Sequence, residues 1–334
     1  MLNMMPDITT TYMGLPIRSP VIASSSGITD NVANLKQLQD FGVGAVVLKS
    51  LFEEEIIAEL ERSETQMQRS GYTFPDLAEM EDLLPTESGV ADYLELIAGA
   101  KRELDVPVIA SVNCITAQKW THFAQTIEQQ GADGLELNVF LMPSDFLAES
   151  AIAFEKTYFN IIQMVLDQVS IPVSVKLSHY FTLLARTLKT ISETGISGLV
   201  LFNRFFSPDY NIDDLSIIPT NVLSSPSDLA VSLRWIAIMH GHVSCDLAAS
   251  TGVHDGDGVI KQLLAGAQAV QIASCLYREG LEAVRNMNER LTSWMQSKGY
   301  DRINQFRGRL SQVNVRNPAA YDRVQFVKNF RAME

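Results

Sequence analysis

The sequence predicts an α/β fold, a TIM (β/α)8 barrel with long insertions at the C-terminal, catalytic face. Three observations support this prediction: eight short apolar runs, helical patterns between most of them, and polar residues at the ends of the runs. Parallel strands need a crossover connection that is usually a helix, and this alternation fits that requirement. The predicted strands are, in chain order, Val21–Ala23, Ala45–Leu48, Val108–Ser111, Leu135–Asn138, Val173–Lys176, Leu199–Phe202, Val243–Ala248 and Ala269–Ile272.

Helical patterns separate the predicted strands, and several of them end at a glycine. Asp30 or Asn31 can cap a first helix that runs to Gly42, because either side chain can accept a hydrogen bond from a free backbone N–H group. A glycine after the last turn readily adopts the left-handed conformation that ends many helices. The later helices are predicted over Gly89–Leu104, Gln118–Gly131, Glu149–Val169, Phe181–Gly195, Asp228–Gly241 and Asp255–Gly266.

We predict a single domain over residues 1–334, because barrels of this size form one domain and a linker tract is lacking. Two connections, about 51–88 and about 204–226, are too long for plain loops. Both leave the catalytic end, where long insertions are typically lids or ligand walls. A C-terminal helical tail is predicted over about 281–334. Within the first insertion, Glu53–Glu55 is interpreted as the solvated face of a short helix.

Composition indicates a globular, cytoplasmic protein, with 46% hydrophobic residues and a formal net charge of −13. The sequence lacks an apolar run of about 18 residues, so we predict no membrane span, and its first residues do not resemble a signal peptide. The negative charge disfavours nucleic acid and leaves a small molecule as the expected ligand. Cys114, Cys245 and Cys275 are far apart, so we predict neither a disulfide framework nor a metal site.

The ends of the seventh and eighth strands predict a phosphate site. Thr251 and Gly252 follow the seventh strand. Ala273 and Ser274 follow the eighth, and both segments lead into helices. In barrels, these two loops and a helix N-terminus commonly bind phosphate, because free backbone N–H groups and the helix dipole point to one place. The alternative is that Gly252 only makes a tight turn.

Two lysines suggest what carries the phosphate. Lys49 and Lys176 end the second and fifth strands, where their side chains would point into the mouth of the barrel. A buried ammonium is costly without an anionic partner. The pair therefore suggests a cofactor with delocalised negative charge, such as a reduced flavin. The alternative for each is a surface lysine that follows an apolar strand.

Six segments, spread over most of the chain, occur together in one known family. They are Thr10–Leu15, Val47–Ser50, Gly134–Asn138, Val173–Leu177, Val200–Phe205 and Gln271–Ser274. From about residue 8 to about residue 312 the chain resembles the dihydroorotate dehydrogenase family, in particular its soluble dihydroorotate dehydrogenase-like branch. The resemblance implies an FMN-dependent oxidoreductase of pyrimidine biosynthesis. Such an enzyme acts on CH–CH groups and transfers a hydride between flavin N5 and a dihydropyrimidine, as from dihydroorotate to orotate.

The resemblance also implies roles for individual residues. In chain order, the implied FMN-binding residues are Ser25, Ser26, Gly27, Lys49, Ser50, Asn113, Asn138, Lys176, Thr251, Gly252, Ala273 and Ser274. The first five would lie along the flavin ring and its edge, the two asparagines would bind its polar atoms, and the last four would hold the phosphate. Lys176 would reach the N1/O2 side. Asn138 and Asn203 would bind substrate, and Arg204 could clamp a carboxylate.

The fourth strand departs from the family where the catalytic base is expected. Family members usually carry a cysteine there, or a serine elsewhere, that takes the proton. When this segment is aligned with the family without a gap, Leu141 occupies the position of the base, and its side chain cannot accept a proton. The catalytic residue is therefore unknown, with Ser144, Asp145 and His179 as weak candidates. Their alternative roles are a helix N-cap for the first two and a backbone-bonded loop residue for the histidine.

Three functional interpretations stay open at this point. The first is the FMN oxidoreductase, and the second is a flavin-binding electron-transfer subunit without dihydroorotate turnover, which the missing base supports. The third is a non-flavin phosphate-binding barrel, an aldolase or isomerase with Lys176 as Schiff-base former. We expect a homodimer and, for electron transfer, a partner protein.

Overall fold

The computed structural model describes residues 5–58, 89–116, 121–141, 150–204, 207–220 and 222–321. The strands are β1 (Thr10–Tyr12), β2 (Leu15–Ile17), β3 (Val21–Ala23), β4 (Ala45–Val47), β5 (Leu51–Phe52), β6 (Val108–Cys114), β7 (Gly134–Val139), β8 (Val173–Leu177), β9 (Gly198–Leu201), β10 (Ser207–Asn211), β11 (Ser216–Thr220), β12 (Asp246–Ser250) and β13 (Ala269–Ile272). The helices are α1 (Val32–Phe41), α2 (Gly89–Glu103), α3 (Thr121–Gln129), α4 (Ala151–Leu166), α5 (Leu184–Ser192), α6 (Leu229–Met239), α7 (Gly256–Ala265), α8 (Ser274–Glu279) and α9 (Ala283–Lys298).

Parallel strands close into a barrel. They pair in the order β4-β3-β13-β12-β9-β8-β7-β6-β5, and β4 also pairs with β6, so that eight of the nine form a ring. Strand β5 pairs with β6 beyond the point where β4 ends. Each predicted strand corresponds to one strand of the ring, which confirms the predicted fold class.

The seventh barrel strand begins later than predicted. The sequence favours Val243–Ala248 because it opens on a β-branched residue, but β12 covers Asp246–Ser250. Pairing with β9 starts where Asp246 lies opposite Gly198, and this pairing, not local propensity, sets the start of the strand. The shift moves Ser250 into the strand and leaves Thr251 as the first residue beyond it.

The helix boundaries follow the capping signals. Asn31, rather than Asp30, caps α1, and its side chain accepts a hydrogen bond from Asn34 N. Asp255 caps α7 in the same way by accepting from Gly258 N. Gly42 ends α1 with φ of 100°, a left-handed conformation that costs glycine little. Local sequence therefore fixed these helix ends without tertiary information.

The β1–β2 hairpin fills the N-terminal end of the barrel. Tyr12 and Met13 are buried there among inward-facing barrel residues. The backbone N–H of Met13 donates to Asp246 Oδ2 at 2.9 Å, and burial raises the pKa of that carboxyl. A Cβ at Gly198 would lie 2.9 Å from the Tyr12 hydroxyl, so glycine makes room for the hairpin. With this end filled, the opposite end remains for a ligand.

The insertions and the tail differ in how they fold. The second insertion contains the antiparallel hairpin β10–β11. Residues 59–88 of the first insertion lie outside the described residues. In the part of the tail that the structure describes, which ends at residue 321, α9 is the only α-helix. Its C-cap is Gly299 with φ of 71°, and short 3-10 turns follow at Ile303–Gln305 and Pro318–Tyr321. Gly308 N donates to the carbonyl of Leu263, and Leu310 N donates to the carbonyl of Leu264. Both acceptors belong to α7, so the tail folds back onto this helix.

Cys114 and Cys275 are buried, and Cys245 is half-buried; all three are free thiols. Within the described ranges, no helix is long and apolar enough to cross a membrane. The same part of the chain contains no group of three His, Cys, Asp or Glu side chains arranged for a metal ion.

Candidate functional site

A cleft opens at the carboxyl ends of the barrel strands. It encloses about 590 Å³ of atom-free space, part of it open to solvent. The cleft brings together eight of the predicted site residues, which are Ser25, Lys176, Asn203, Arg204, Thr251, Gly252, Ala273 and Ser274.

Lys176 is the charged residue at the base of the cleft. It is 6% exposed. Its Nζ donates to Gln271 Oε1 at 2.9 Å and to Ser24 Oγ at 3.0 Å, and lies 3.4 Å from Glu136 Oε1. The predicted inward orientation is correct. Sequence reasoning missed Glu136 and Gln271 as partners, although a charged residue inside an apolar strand is a signal for a buried partner.

Lys49 does not join this buried group. Its side chain is exposed, and its backbone N–H donates to the Thr29 carbonyl at 3.2 Å. Lys176 is buried and points into the mouth, as predicted. Lys49 is exposed, so the prediction of a buried ammonium group is wrong for this residue. Strand β4 ends at Val47, so Lys49 lies beyond the ladder that orients inward-facing side chains.

A chain of serines links three strand ends beside the cleft. Ser25 Oγ and Ser50 Oγ are 3.0 Å apart, and Ser25 Oγ accepts from Ser50 N at 2.8 Å. Ser50 Oγ is 2.7 Å from Ser111 Oγ. The predicted pair is thus brought together, and Ser111 is an addition that sequence reasoning did not select.

Ser26 and Gly27 have local structural roles instead. Ser26 Oγ accepts from Ile28 N at 3.3 Å and caps the 3-10 turn that follows β3. A Cβ on Gly27 would lie 2.9 Å from the Tyr277 hydroxyl. These contacts account for both residue types without a ligand.

Three amides gather at the other side of the mouth. Asn203 Nδ2 donates to Asn138 Oδ1 at 2.8 Å, and Asn113 is the register partner of Asn138 on β6. All three are half-buried. Arg204 lies at the rim, where Nη1 donates to the Val222 carbonyl at 2.8 Å.

Arg204 also lies close to an acidic residue. Its Nε is 3.9 Å from Asp228 Oδ2, and its side chain is 25% exposed. Arg204 therefore already has an acidic partner within the protein. A carboxylate ligand would compete with these protein acceptors for the guanidinium group.

The loop after β12 has an unusual backbone conformation. Thr251 and Gly252 have φ of 74° and 82°. A Cβ on Gly252 would lie 2.0 Å from Leu229 N, at the start of α6. The tight packing requires glycine whether or not a phosphate binds, so the alternative interpretation of Gly252 has direct structural support.

The segment before α6 forms a wall over the loops of β12 and β13. Ser224 N donates to Ser274 Oγ at 2.9 Å, and Ser224 Oγ is 3.1 Å from His254 Nε2. Burial is the main cause that lowers the pKa of His254, and the charge of Arg278 lowers it further. A neutral imidazole can form the hydrogen bond with Ser224 without adding positive charge to the site.

The described residues supply no evident proton acceptor where the family base is expected. Leu141 is half-buried and packs against the hydrophobic core. Ser144 and Asp145 lie outside the described residues. His179 is exposed beside the mouth, with its ring centroid 5.7 Å from that of Phe202, which lines the cleft. Partial burial lowers the pKa of His179, which favours its neutral form.

Glu53 corrects one interpretation of the first insertion. The run Glu53–Glu55 was expected to face solvent, but Glu53 is 1% exposed. Its Oε2 accepts from Ile115 N at 2.6 Å and from Thr116 N at 2.8 Å. The carboxylate therefore holds the loop after β6 by accepting from two of its backbone N–H groups.

Comparison with known proteins gives a consistent result. Residues 7–295 match the family described as dihydroorotate dehydrogenase. A relative from Thermoplasma volcanium, named dihydroorotate dehydrogenase B (NAD(+)), catalytic subunit, is 26% identical over 312 residues, covering 91% of this chain and 98% of the relative. A Methanothermobacter thermautotrophicus protein of the same name is 24% identical, covering 90% and 97%. A putative dihydroorotate dehydrogenase A (fumarate) from Aeropyrum pernix is 23% identical, covering 88% and 94%.

We predict that Glu53→Gln reduces the pH dependence of stability. Burial, the largest influence, raises the pKa of Glu53 despite hydrogen bonds from Thr116 and Ile115. A raised folded pKa gives a stabilising contribution that is full below the unfolded pKa and is lost as pH rises through the folded pKa. The free energy of unfolding of the natural protein relative to the variant should therefore fall as pH rises above the unfolded glutamate pKa of about 4.3, measured by denaturant titration.

The exposed Glu289, changed to glutamine, serves as the control and should show no such trend. A difference for Glu53→Gln that stays constant with pH would contradict the prediction.

Proposed function

The chain belongs to the dihydroorotate dehydrogenase family, a family of oxidoreductases that act on a CH–CH bond, and on this premise we propose that it binds FMN and oxidises or reduces a dihydropyrimidine or a related ring. One observation carries the proposal. The buried ammonium of Lys176 shares a cleft with the loops after β12 and β13, so a cation and two loops of small residues face one space. We extend the proposal to residues 1–334 as one FMN-binding domain.

The residues present fit FMN. Thr251, Gly252, Ala273 and Ser274 line the cleft with small side chains, as a phosphate group needs. Lys176 would face the N1/O2 side of the ring and stabilise negative charge there. Bound FMN would supply the hydride acceptor at N5. Ser25 and Ser50 would lie at the ring edge, with the exposed Lys49 free to approach it.

The amides would position the substrate. The pair Asn138 and Asn203 is already oriented by its mutual hydrogen bond, so little side-chain freedom is lost on binding. Asn113 would hydrogen-bond to the polar atoms of the flavin ring, and Arg204 could bind a substrate carboxylate at the rim of the cleft. Ser26 and Gly27 would contact the ring through backbone atoms, since the side chain of Ser26 is engaged locally.

The geometry disfavours the aldolase or isomerase alternative. Schiff-base formation needs a nitrogen lone pair aimed at a carbonyl. The Nζ of Lys176 instead has three acceptors, one for each N–H of an ammonium group. The electron-transfer alternative keeps its support, because Leu141 is apolar where the base is expected.

The electron acceptor and the cellular setting are also proposals. Relatives named as catalytic subunits imply a partner subunit for those proteins, and we propose an electron-transfer partner here; the relative named for fumarate supports a small-molecule acceptor instead. We propose a cytoplasmic location, consistent with a small-molecule substrate.

We predict that Ala273→Asp weakens FMN binding through its phosphate. Ala273 precedes α8 at the N-cap position, where aspartate is structurally favourable, so the fold should persist. The added charge would repel the phosphate, and we expect FMN affinity to fall about tenfold or more while riboflavin affinity changes little. Fluorescence titration of apoprotein with both flavins measures this, and Ala273→Ser is the neutral control. Equal losses for FMN and riboflavin would contradict a phosphate at this position.

We predict slow reduction of the bound flavin by dihydroorotate. The oxidation needs a proton removed from one carbon as hydride leaves its neighbour, and a missing base typically costs about 10²–10⁴-fold. Anaerobic stopped-flow absorbance near neutral pH, with dithionite as the control for reducible flavin, gives the rate.

Dihydrouracil and reduced nicotinamide are compared in the same experiment. Fast reduction by dihydroorotate would show that a base exists, and His179→Gln would then test His179 against Ser144 and Asp145. Bleaching by dithionite alone would favour the electron-transfer alternative.

We predict a homodimer that covers the β10–β11 hairpin. This hairpin exposes large apolar side chains, with Ile212 81% and Leu215 87% exposed. A second copy brings the same surface, and a twofold interface buries both. Leu215→Asp should yield monomers in sedimentation experiments, whereas Met5→Asp, at an exposed apolar residue elsewhere, should not. Monomeric natural protein would contradict the prediction and leave the hairpin to another partner.

A further inference from the structure

A buried carboxylate lies behind the lysine that faces the cleft. The side chain of Glu136, on β7, is 1% exposed. Its Oε1 is 3.4 Å from Lys176 Nζ, and its Oε2 accepts a hydrogen bond from Gln271 Nε2. Lys176 and Gln271 line the cleft, whereas Glu136 lies below it. The carboxylate therefore acts on the cleft through these two residues.

The carboxylate also fixes the amide of Gln271. Because Nε2 donates to Glu136, the amide oxygen faces the other way and accepts from Lys176 at 2.9 Å and from Ser24 at 3.0 Å. Without Glu136, the amide could rotate and turn its NH₂ group toward other acceptors. A single buried group thus orders both polar residues at the base of the cleft.

The pair presents a weaker positive field than a lone lysine. Charge–charge interaction falls with distance and is strong where water is excluded. A carboxylate on the far side of Nζ cancels part of its charge as felt in the cleft. An anion bound near Lys176 is consequently stabilised less than it would be by an unpaired ammonium.

We infer that Glu136 is a positioning residue that lowers the preference of this site for reduced over oxidised FMN. The inference rests on the proposed FMN binding. Reduction adds negative charge on the N1/O2 side of the flavin, next to Lys176, so partial cancellation of the lysine charge lowers the reduction potential. Glu136 touches neither cofactor nor substrate; it positions Lys176 and Gln271, and its negative charge acts on the flavin site from behind them.

The test is the midpoint potential of bound FMN in Glu136→Gln. Glutamine keeps the size of the side chain and one acceptor oxygen, replaces the other oxygen with an NH₂ group, and removes the charge. We expect the preference for reduced FMN to rise about tenfold, which for a two-electron couple is a positive shift of about 30 mV. Spectroscopic titration against a reference dye measures it without any substrate.

Asp133→Asn is the matched control. Asp133 lies just before β7, at the opposite end from the mouth, and pairs with Lys101 at 2.6 Å. Neutralising it removes a lysine-paired carboxylate of the same strand region without changing the cleft. We expect no change in potential for this variant.

A second comparison covers the case in which Glu136→Gln does not fold because Lys176 is left unpaired. In Lys176→Met, adding Glu136→Gln removes the remaining buried charge and should again raise the potential. Equal potentials with and without Glu136, in protein that binds FMN, would overturn this inference alone. Failure of the natural protein to bind FMN would overturn the proposed function and this inference with it.

Discussion

The buried ion pair between Lys176 and Glu136 is the interaction on which the site depends. It joins β8 and β7 to Gln271 on β13 and Ser24 after β3, which lie on the opposite side of the ring. Removing one member of such a pair typically costs about 3–5 kcal/mol, because the other charge is left buried without compensation. The same residues that span the barrel therefore also set the charge of its mouth.

The two ends of the barrel are specialised by what fills them. At the N-terminal end, Tyr12 and Met13 pack into space that Gly198 leaves free, and backbone donors there meet Asp246. At the carboxyl end, polar side chains satisfy one another around an open cleft. An apolar plug excludes water, whereas a ring of paired polar groups can exchange its partners for a ligand. Because of this difference between the two ends, the ligand site lies at the carboxyl end of the barrel.

Three residues show what local reasoning leaves undecided. Glu53 belongs to an acidic run that is typical of a solvated helix face, yet backbone donors of a distant loop draw it inward. Lys49 has the sequence context of Lys176 but lies beyond the end of its ladder and faces solvent. Gly252 fits a phosphate loop and is equally required by the start of α6. For Glu53 and Gly252, contacts with other parts of the chain supply what the local pattern lacks.

The sequence by itself determined the order of the eight barrel strands and the helices between them, the helix ends at Gly42 and Asp255, and the set of polar strand ends. These follow from side-chain periodicity and capping, which act over a few residues. Only the tertiary structure decided the start of β12, the burial of Glu53 and the partners of Lys176. The bonds concerned join residues far apart, with 95 positions between Lys176 and Gln271 and 135 between Glu136 and Gln271. Closure of the ring brings such residues together, and no local pattern in the chain records which of them will meet.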